Sequence, residues 1–71
     1  MRSTLRNERT KRNLTLGQVA KASGIKRSHY NNIELGKGNP SHEVSCAIGK
    51  YFGIIDICEL FKRDGENDDE N

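Results

Sequence analysis

A chain of 71 residues, 32% of them hydrophobic and with a mean hydropathy of -0.85, holds one small domain with a lean core, which excludes most enzymes built around large internal cavities. No apolar run is long enough to span a bilayer, and residues 1–12 have no apolar signal core, so neither a membrane anchor nor a secretory leader is expected and the chain reads as cytoplasmic. The net charge of +2 conceals a division: residues 1–38 carry nine Lys and Arg against Glu8 and Glu34, whereas residues 64–71 carry five acids and no cation. The basic part points to a polyanionic partner; the acidic part, with no large apolar side chain, reads as a solvated tail following a domain of residues 1–63.

Helix signals dominate, and no segment alternates apolar and polar residues as a half-buried strand would, so an all-α fold of five short helices is predicted. Ser3 is placed to N-cap a first helix reaching to about Arg12, with Leu5 and Arg9 on its inner face and Asn13 in the left-handed position beyond it. Thr15 N-caps a second helix over 16–23, with Leu16, Val19 and Ala20 on one side and Gly24 as its stop. A third helix over 27–35 buries Tyr30 and Ile33 and ends at Gly36, before the loop Lys37-Gly38-Asn39-Pro40. Ser41 opens a fourth helix with Val44, Ile48 and Phe52 facing inwards and Gly53 closing it. Asp56 and Glu59 form the pattern of a capping box at the start of a fifth helix from Ile57 to about Lys62, with Leu60 and Phe61 turned to the core.

The second helix, the turn at Gly24 and the third helix carry the most information. Two helices crossing steeply through a short turn need a small residue where they approach, here Ala20, and apolar contacts to fix the angle, here Val19, Ile25, Tyr30 and Ile33. The other side of the third helix then presents Arg27, Ser28, Asn31 and Asn32. A helix fits the major groove of B-DNA, where Arg pairs with guanine, Asn with adenine and Ser with several acceptors and donors.

Over about residues 5–61 the chain resembles the phage repressor and Cro helix-turn-helix proteins, the XRE family. The shared pattern is Leu5-Arg6 and Arg9, Leu14-Thr15, Val19-Ala20, Gly24-Ile25, Ile33-Glu34, Gly36-Lys37, Asn39-Pro40-Ser41, Ile48, Phe52-Gly53 and Glu59-Leu60-Phe61. The resemblance implies a compact five-helix, lambda-repressor-like domain that lays its third helix in the major groove, usually as a symmetric dimer on two half-sites. Carried over by position, Arg27, Ser28, Asn32 and Asn31 are the base readers. Lys26, His29, Thr15, Gln18, Lys37 and Asn39 are the phosphate contacts. Arg9 and Glu34 form an ion pair between the first and third helices, a structural role. Leu16 stands where the family often has a phosphate-binding Gln, and Lys26 stands where Ser or Thr usually caps the third helix. Ser23 and Ser45 occupy commonly apolar positions.

Other chemistry is weakly represented. His42 and Cys46 lie at i, i+4 and Cys58 on the next helix, but there is no CxxC pair, so buried thiols are expected and no metal or other cofactor. No Gly-rich phosphate loop, nucleophile motif or carboxylate pair outside the acidic tail suggests an enzyme or a small-molecule substrate. Ile54, Ile55, Ile57 and Phe61 exceed what so small a core needs and are the candidates for a weak or DNA-assisted homodimer. The expected function is therefore sequence-specific regulation of transcription, a repressor acting on a double-stranded operator, in a phage, mobile element or similar compact unit. The competing reading is a protein-interaction module on the same scaffold, such as an antitoxin or anti-repressor component; general nucleoid or RNA binding is a third.

Overall fold

Every helix must satisfy its first N–H groups, and the ways this chain does so set its architecture. The computed structural model describes residues 1–65. Among these residues it has five helices, α1 (Ser3–Thr10), α2 (Leu16–Ser23), α3 (Arg27–Leu35), α4 (His42–Phe52) and α5 (Ile57–Leu60), and no strand. Of the acidic stretch 64–71 expected as a tail, Asp64 and Gly65 are described; residues 66–71 lie outside the described residues.

The start of α2 follows from local chemistry. Gln18 N–H donates to Thr15 Oγ1 at 3.1 Å, and Thr15 N–H donates to Gln18 Oε1 at 2.8 Å, a reciprocal capping box. Ser41 Oγ accepts the Val44 N–H at 3.1 Å at the head of α4. Lys26, at the head of α3, is extended and provides no side-chain cap, in keeping with the missing Ser or Thr.

The head of α1 differs from the sequence expectation. Ser3 is the first helical residue and not the cap; Arg2 holds the N-cap position without a side-chain cap bond. The acceptor comes from the far end of the domain, where the Asp64 carboxylate receives both the Ser3 N–H and the Ser3 hydroxyl, and Asp64 N–H donates to the Met1 carbonyl at 2.8 Å. A carboxylate at a helix N-terminus also meets the positive end of the helix dipole. Past Thr10 the chain turns early through Asn13, whose φ of 58° places it in the left-handed region as its residue type suggests.

The end of α5 differs as well. Asp56 Oδ1 accepts the Glu59 N–H at 3.1 Å, but the Glu59 carboxylate does not return the bond and instead meets Lys62 Nζ at 2.7 Å. Only half the capping box forms, and the helix stops at Leu60. So short an element depends on packing, and Leu60 is its one fully buried side chain; Phe61 packs on the core half-buried.

The core is Leu5, Val19, Ala20, Tyr30, Ile33, Ile48, Phe52 and Leu60, with Leu14, Leu16, Ile25, Val44, Ile54 and Phe61 packed around it. Through these residues α2 lies against α3 and α4, α1 against α3 and α5, and α4 against α5. Ser23 is accommodated because its hydroxyl donates to the Val19 carbonyl at 2.8 Å within its own helix. Arg12 fastens the end of α1 to the end of α4: its Nη2 donates to the Phe52 carbonyl at 2.7 Å, and its guanidinium stands 5.0 Å from the Phe52 ring centroid.

Gly49 allows α4 and the following turn to meet. A Cβ there would lie 2.8 Å from Ile57 Cγ2 and 3.0 Å from the Ile54 carbonyl oxygen. Although Ala is the better helix former, the backbone oxygen cannot move aside cheaply, so Gly49→Ala is expected to destabilise the domain by about 1–3 kcal/mol, read from the midpoint of urea unfolding. The Ser3 hydroxyl and then the Ser3 N–H hold the Asp64 carboxyl below the usual carboxylate range. A carboxylate lowered by folding adds stability above its unfolded pKa and loses it as pH falls through the folded value. Stability should therefore decline below about pH 4, and Asp64→Asn should flatten that decline when urea unfolding is followed from about pH 5 to about pH 2.

Candidate nucleic-acid interface

The α2–turn–α3 unit is held from within by a charged pair. Glu34, 3% exposed on the inner side of α3, accepts from Arg9 Nε and, at 3.2 Å, from Arg9 Nη2, while Arg9 Nη1 donates to the Leu14 carbonyl at 2.8 Å. One guanidinium thus joins α1, α3 and the entrance to α2. The carboxylate beside it raises the Arg9 pKa further. Burial, and then the same carboxylate, push the Tyr30 phenol well above its ordinary range, so it stays neutral within the core.

With Tyr30, Ile33 and Glu34 buried, the opposite side of α3 carries exposed Arg27, Ser28, His29 and Asn32, preceded by exposed Lys26. Asn31 is half-buried and lines a cavity of ≈ 220 Å³ with Arg6, Arg9, Leu16 and Glu34, so it stands towards α1 and the start of α2. A Cβ on Gly17 would lie 3.9 Å from Arg27 Cδ and 4.0 Å from Thr15 Oγ1. The heads of α2 and α3 therefore share an edge, and Thr15, exposed, lies near Arg27. Thr15 and Gln18 use their acceptor oxygens in the capping box, which leaves the Thr15 hydroxyl proton and the Gln18 amide N–H groups to serve as donors. Leu16, in the place of the family's Gln, is half-buried against the core.

The loop after α3 starts from Gly36, which is left-handed at φ 79°; a Cβ there would lie 2.8 Å from the Met1 nitrogen, so Gly meets two requirements at once. Lys37 and Asn39 are exposed in this loop. Asn39 Oδ1 accepts from Arg2 Nη2 at 3.0 Å.

Charge counting alone did not locate these cations. Arg2 is 3% exposed, Arg9 is paired inside, and Lys11 and Arg12 bind Glu8 at 3.1 and 2.6 Å. Arg6, Lys11, Lys21, Lys26, Arg27 and Lys37 are the exposed members of the basic stretch, Lys11 with Glu8 beside it. Arg2 was missed because a burial signal needs knowledge of distant carbonyls, and nothing next to it in sequence indicates them.

Elsewhere, Ile54, Ile55 and Ile57 meet on an open apolar groove of ≈ 640 Å³ between α4 and α5, with Ile55 97% exposed. Phe61 does not line it. The expectation of buried thiols is not met: Cys46 is half-buried with its Sγ 3.5 Å from His42 Nε2, and Cys58 is exposed because α5 turns only Leu60 fully inward. Among the described residues no three His, Cys, Asp or Glu side chains converge as metal ligands, and no helix is long and apolar enough to cross a membrane.

Two helices joined at a left-handed glycine, the second carrying an exposed polar face, define a helix-turn-helix domain. The helix-turn-helix family pattern matches residues 5–60, and the chain belongs to that family, of the XRE type. It is 34% identical over 73 residues to the HTH-type transcriptional regulator YqaF of Bacillus subtilis, covering 94% of this chain and 96% of that protein. It is also 37% identical over 54 residues to an HTH-type transcriptional regulator of Methanocaldococcus jannaschii, covering 76% of this chain and 82% of the relative. No solved structure matches the chain.

Removing one member of the inner pair leaves the other charge stranded. Glu34→Ala is expected to cost about 3–5 kcal/mol, whereas the double replacement Arg9→Met, Glu34→Leu should recover much of the loss, as read from thermal unfolding of the three proteins.

Proposed function

We infer that this protein is a sequence-specific DNA-binding regulator of transcription, acting as a repressor, that places α3 in the major groove of an operator. The observation that carries this reading is the two-sided character of α3: Tyr30, Ile33 and Glu34 fix it to the domain, while Arg27, Ser28 and Asn32 stand exposed with chemistry suited to base edges. The names of the two relatives support the regulatory part. In this reading Arg27, Ser28 and Asn32 read bases, and Asn31, half-buried, makes a secondary contact at the edge of the groove. Lys26, His29, Thr15, Gln18, Lys37 and Asn39 hold phosphates on either side. None of these roles calls for a cofactor or for enzyme chemistry.

Ile54, Ile55 and Ile57 form the contact of a weak or DNA-assisted homodimer, which would align two α3 helices with half-sites about one turn of DNA apart. A side chain 97% exposed beside an apolar groove is the supporting feature.

Fluorescence anisotropy of the protein against DNA from upstream of its own gene and against a scrambled duplex, at two salt concentrations, tests the whole. Binding roughly a thousandfold tighter to the upstream fragment is the expected result. Equal, salt-sensitive binding to both would reduce the α3 face to a general polyanion surface, and no binding would favour the protein-interaction module. Arg27→Ala should cost about 1–3 kcal/mol on the matched duplex and relax preference at one base pair, whereas Lys37→Ala should weaken both duplexes alike. Sedimentation over a concentration series should show self-association that Ile55→Lys abolishes; a strict monomer bound to single half-sites would exclude the dimer.

A further inference from the structure

The least expected side chain in the molecule is Arg2, a cation 3% exposed near the chain start. Its guanidinium donates from Nε to the Phe61 carbonyl at 2.8 Å, from Nη1 to the Ile33 carbonyl at 2.6 Å and the Gly38 carbonyl at 2.9 Å, and from Nη2 to Asn39 Oδ1 at 3.0 Å. Its backbone N–H donates to the Glu34 carbonyl at 2.8 Å. Two of these acceptors, Ile33 and Glu34, are carbonyls of the last turn of α3, where a cation meets the negative end of the helix dipole. Two others belong to the loop that follows.

We propose that Arg2 is a positioning residue for DNA phosphate binding: it orients the Lys37-Gly38-Asn39 loop relative to α3 so that the loop's donors meet the backbone of a duplex. The proposal rests on the DNA-binding reading of α3 and adds to it a residue that touches no DNA itself. The chemistry is directional. By accepting from Arg2, the Gly38 carbonyl and Asn39 Oδ1 are turned inward, and an amide whose oxygen is held directs its Nδ2 donors the other way. Lys37, one residue earlier, is exposed. A phosphate needs donors and cations and is repelled by carbonyl oxygens, so drawing both oxygens towards one buried guanidinium leaves the outer side of the loop donor-rich. A lysine could carry the charge but not this arrangement, because three roughly tetrahedral N–H groups cannot match the planar fork that reaches four acceptors on three separate segments.

The test compares the wild type with Arg2→Lys, Asn39→Ala and the double variant, binding a mixed-sequence duplex two helical turns long. Affinity is measured over a range of salt, at a temperature where circular dichroism shows each protein folded. Arg2→Lys should lose about three- to tenfold in affinity and about one unit of salt slope, on this duplex and on a scrambled version of it equally, and should add less than its full effect in the Asn39→Ala background. A loss that comes only from lower stability would leave the salt slope of the folded fraction unchanged and would overturn the proposal, as would full additivity with Asn39→Ala. If Arg2→Lys does not fold, the wild type still decides: the backbone amide signals of Gly38 and Asn39 should shift on adding duplex. Wild-type binding with those signals unmoved overturns this inference alone, whereas wild-type failure to bind any duplex overturns the DNA-binding reading and this inference with it.

Discussion

The Arg9 guanidinium is the point on which the arrangement of the domain turns. It bonds the Glu34 carboxylate on α3 and the Leu14 carbonyl ahead of α2, so that α1 serves as a brace across the back of the helix-turn-helix. The apolar contacts of Val19, Ile25, Tyr30 and Ile33 set the crossing of α2 and α3, but apolar packing is non-directional and tolerates small rotations. A bidentate pair with a planar guanidinium does not. The rotational setting of α3, and therefore which of its residues face outward, depends on this directional bond inside a lean core.

A recurring device is the use of cations to satisfy carbonyls at helix ends. Arg2 binds the end of α3, Arg12 the end of α4, and Arg9 the carbonyl before α2. In a chain this short there is little apolar surface with which to lock helices together; each such bond joins two segments, and those of Arg2 and Arg12 also meet the negative end of a helix dipole. The same residues add to the basic charge of the chain, so its composition reflects two demands at once: interior fastening and an exterior suited to a polyanion. Charge-assisted bonds to half-buried carbonyls contribute more than surface ion pairs such as Lys62 with Glu59, which lie mostly in solvent.

How legible each element was in the sequence follows from the range of the interaction that makes it. The heads of α2 and α4 and the glycine ends of α2, α3 and α4 could be read correctly, because their determinants lie within four residues of one another: Thr15 with Gln18, Ser41 with Val44, and Gly24, Gly36 and Gly53. The Arg9–Glu34 contact came through resemblance, since no local rule links positions 25 apart. The role of Arg2 and the capping of α1 by Asp64 were not legible, because their partners lie 59 and 61 residues away in sequence for the Phe61 and Ser3 bonds. The acidic composition around Asp64 argued for a solvated segment, and only the folded chain shows it beside Ser3. Within the candidate interface, exposure of Arg27, Ser28 and Asn32 was readable from helical period, whereas the inward lean of Asn31 depends on where α1 sits.

The meeting of Ser3 with Asp64 has a kinetic corollary. Bonds between residues so far apart close a loop that takes in nearly the whole domain, and the entropy of that closure must be overcome before the contact returns any stability. The α2–α3–α4 unit, built from near neighbours, is in a position to form first, with α1 and α5 zipping across it at the end of folding. In native-state hydrogen exchange the reverse order is expected, with amides at the seam between the two ends opening through local fluctuations and those of the helix-turn-helix only in the global event. On that expectation the helix-turn-helix would be the most persistent part of the molecule, and α1, which braces it, the more readily loosened.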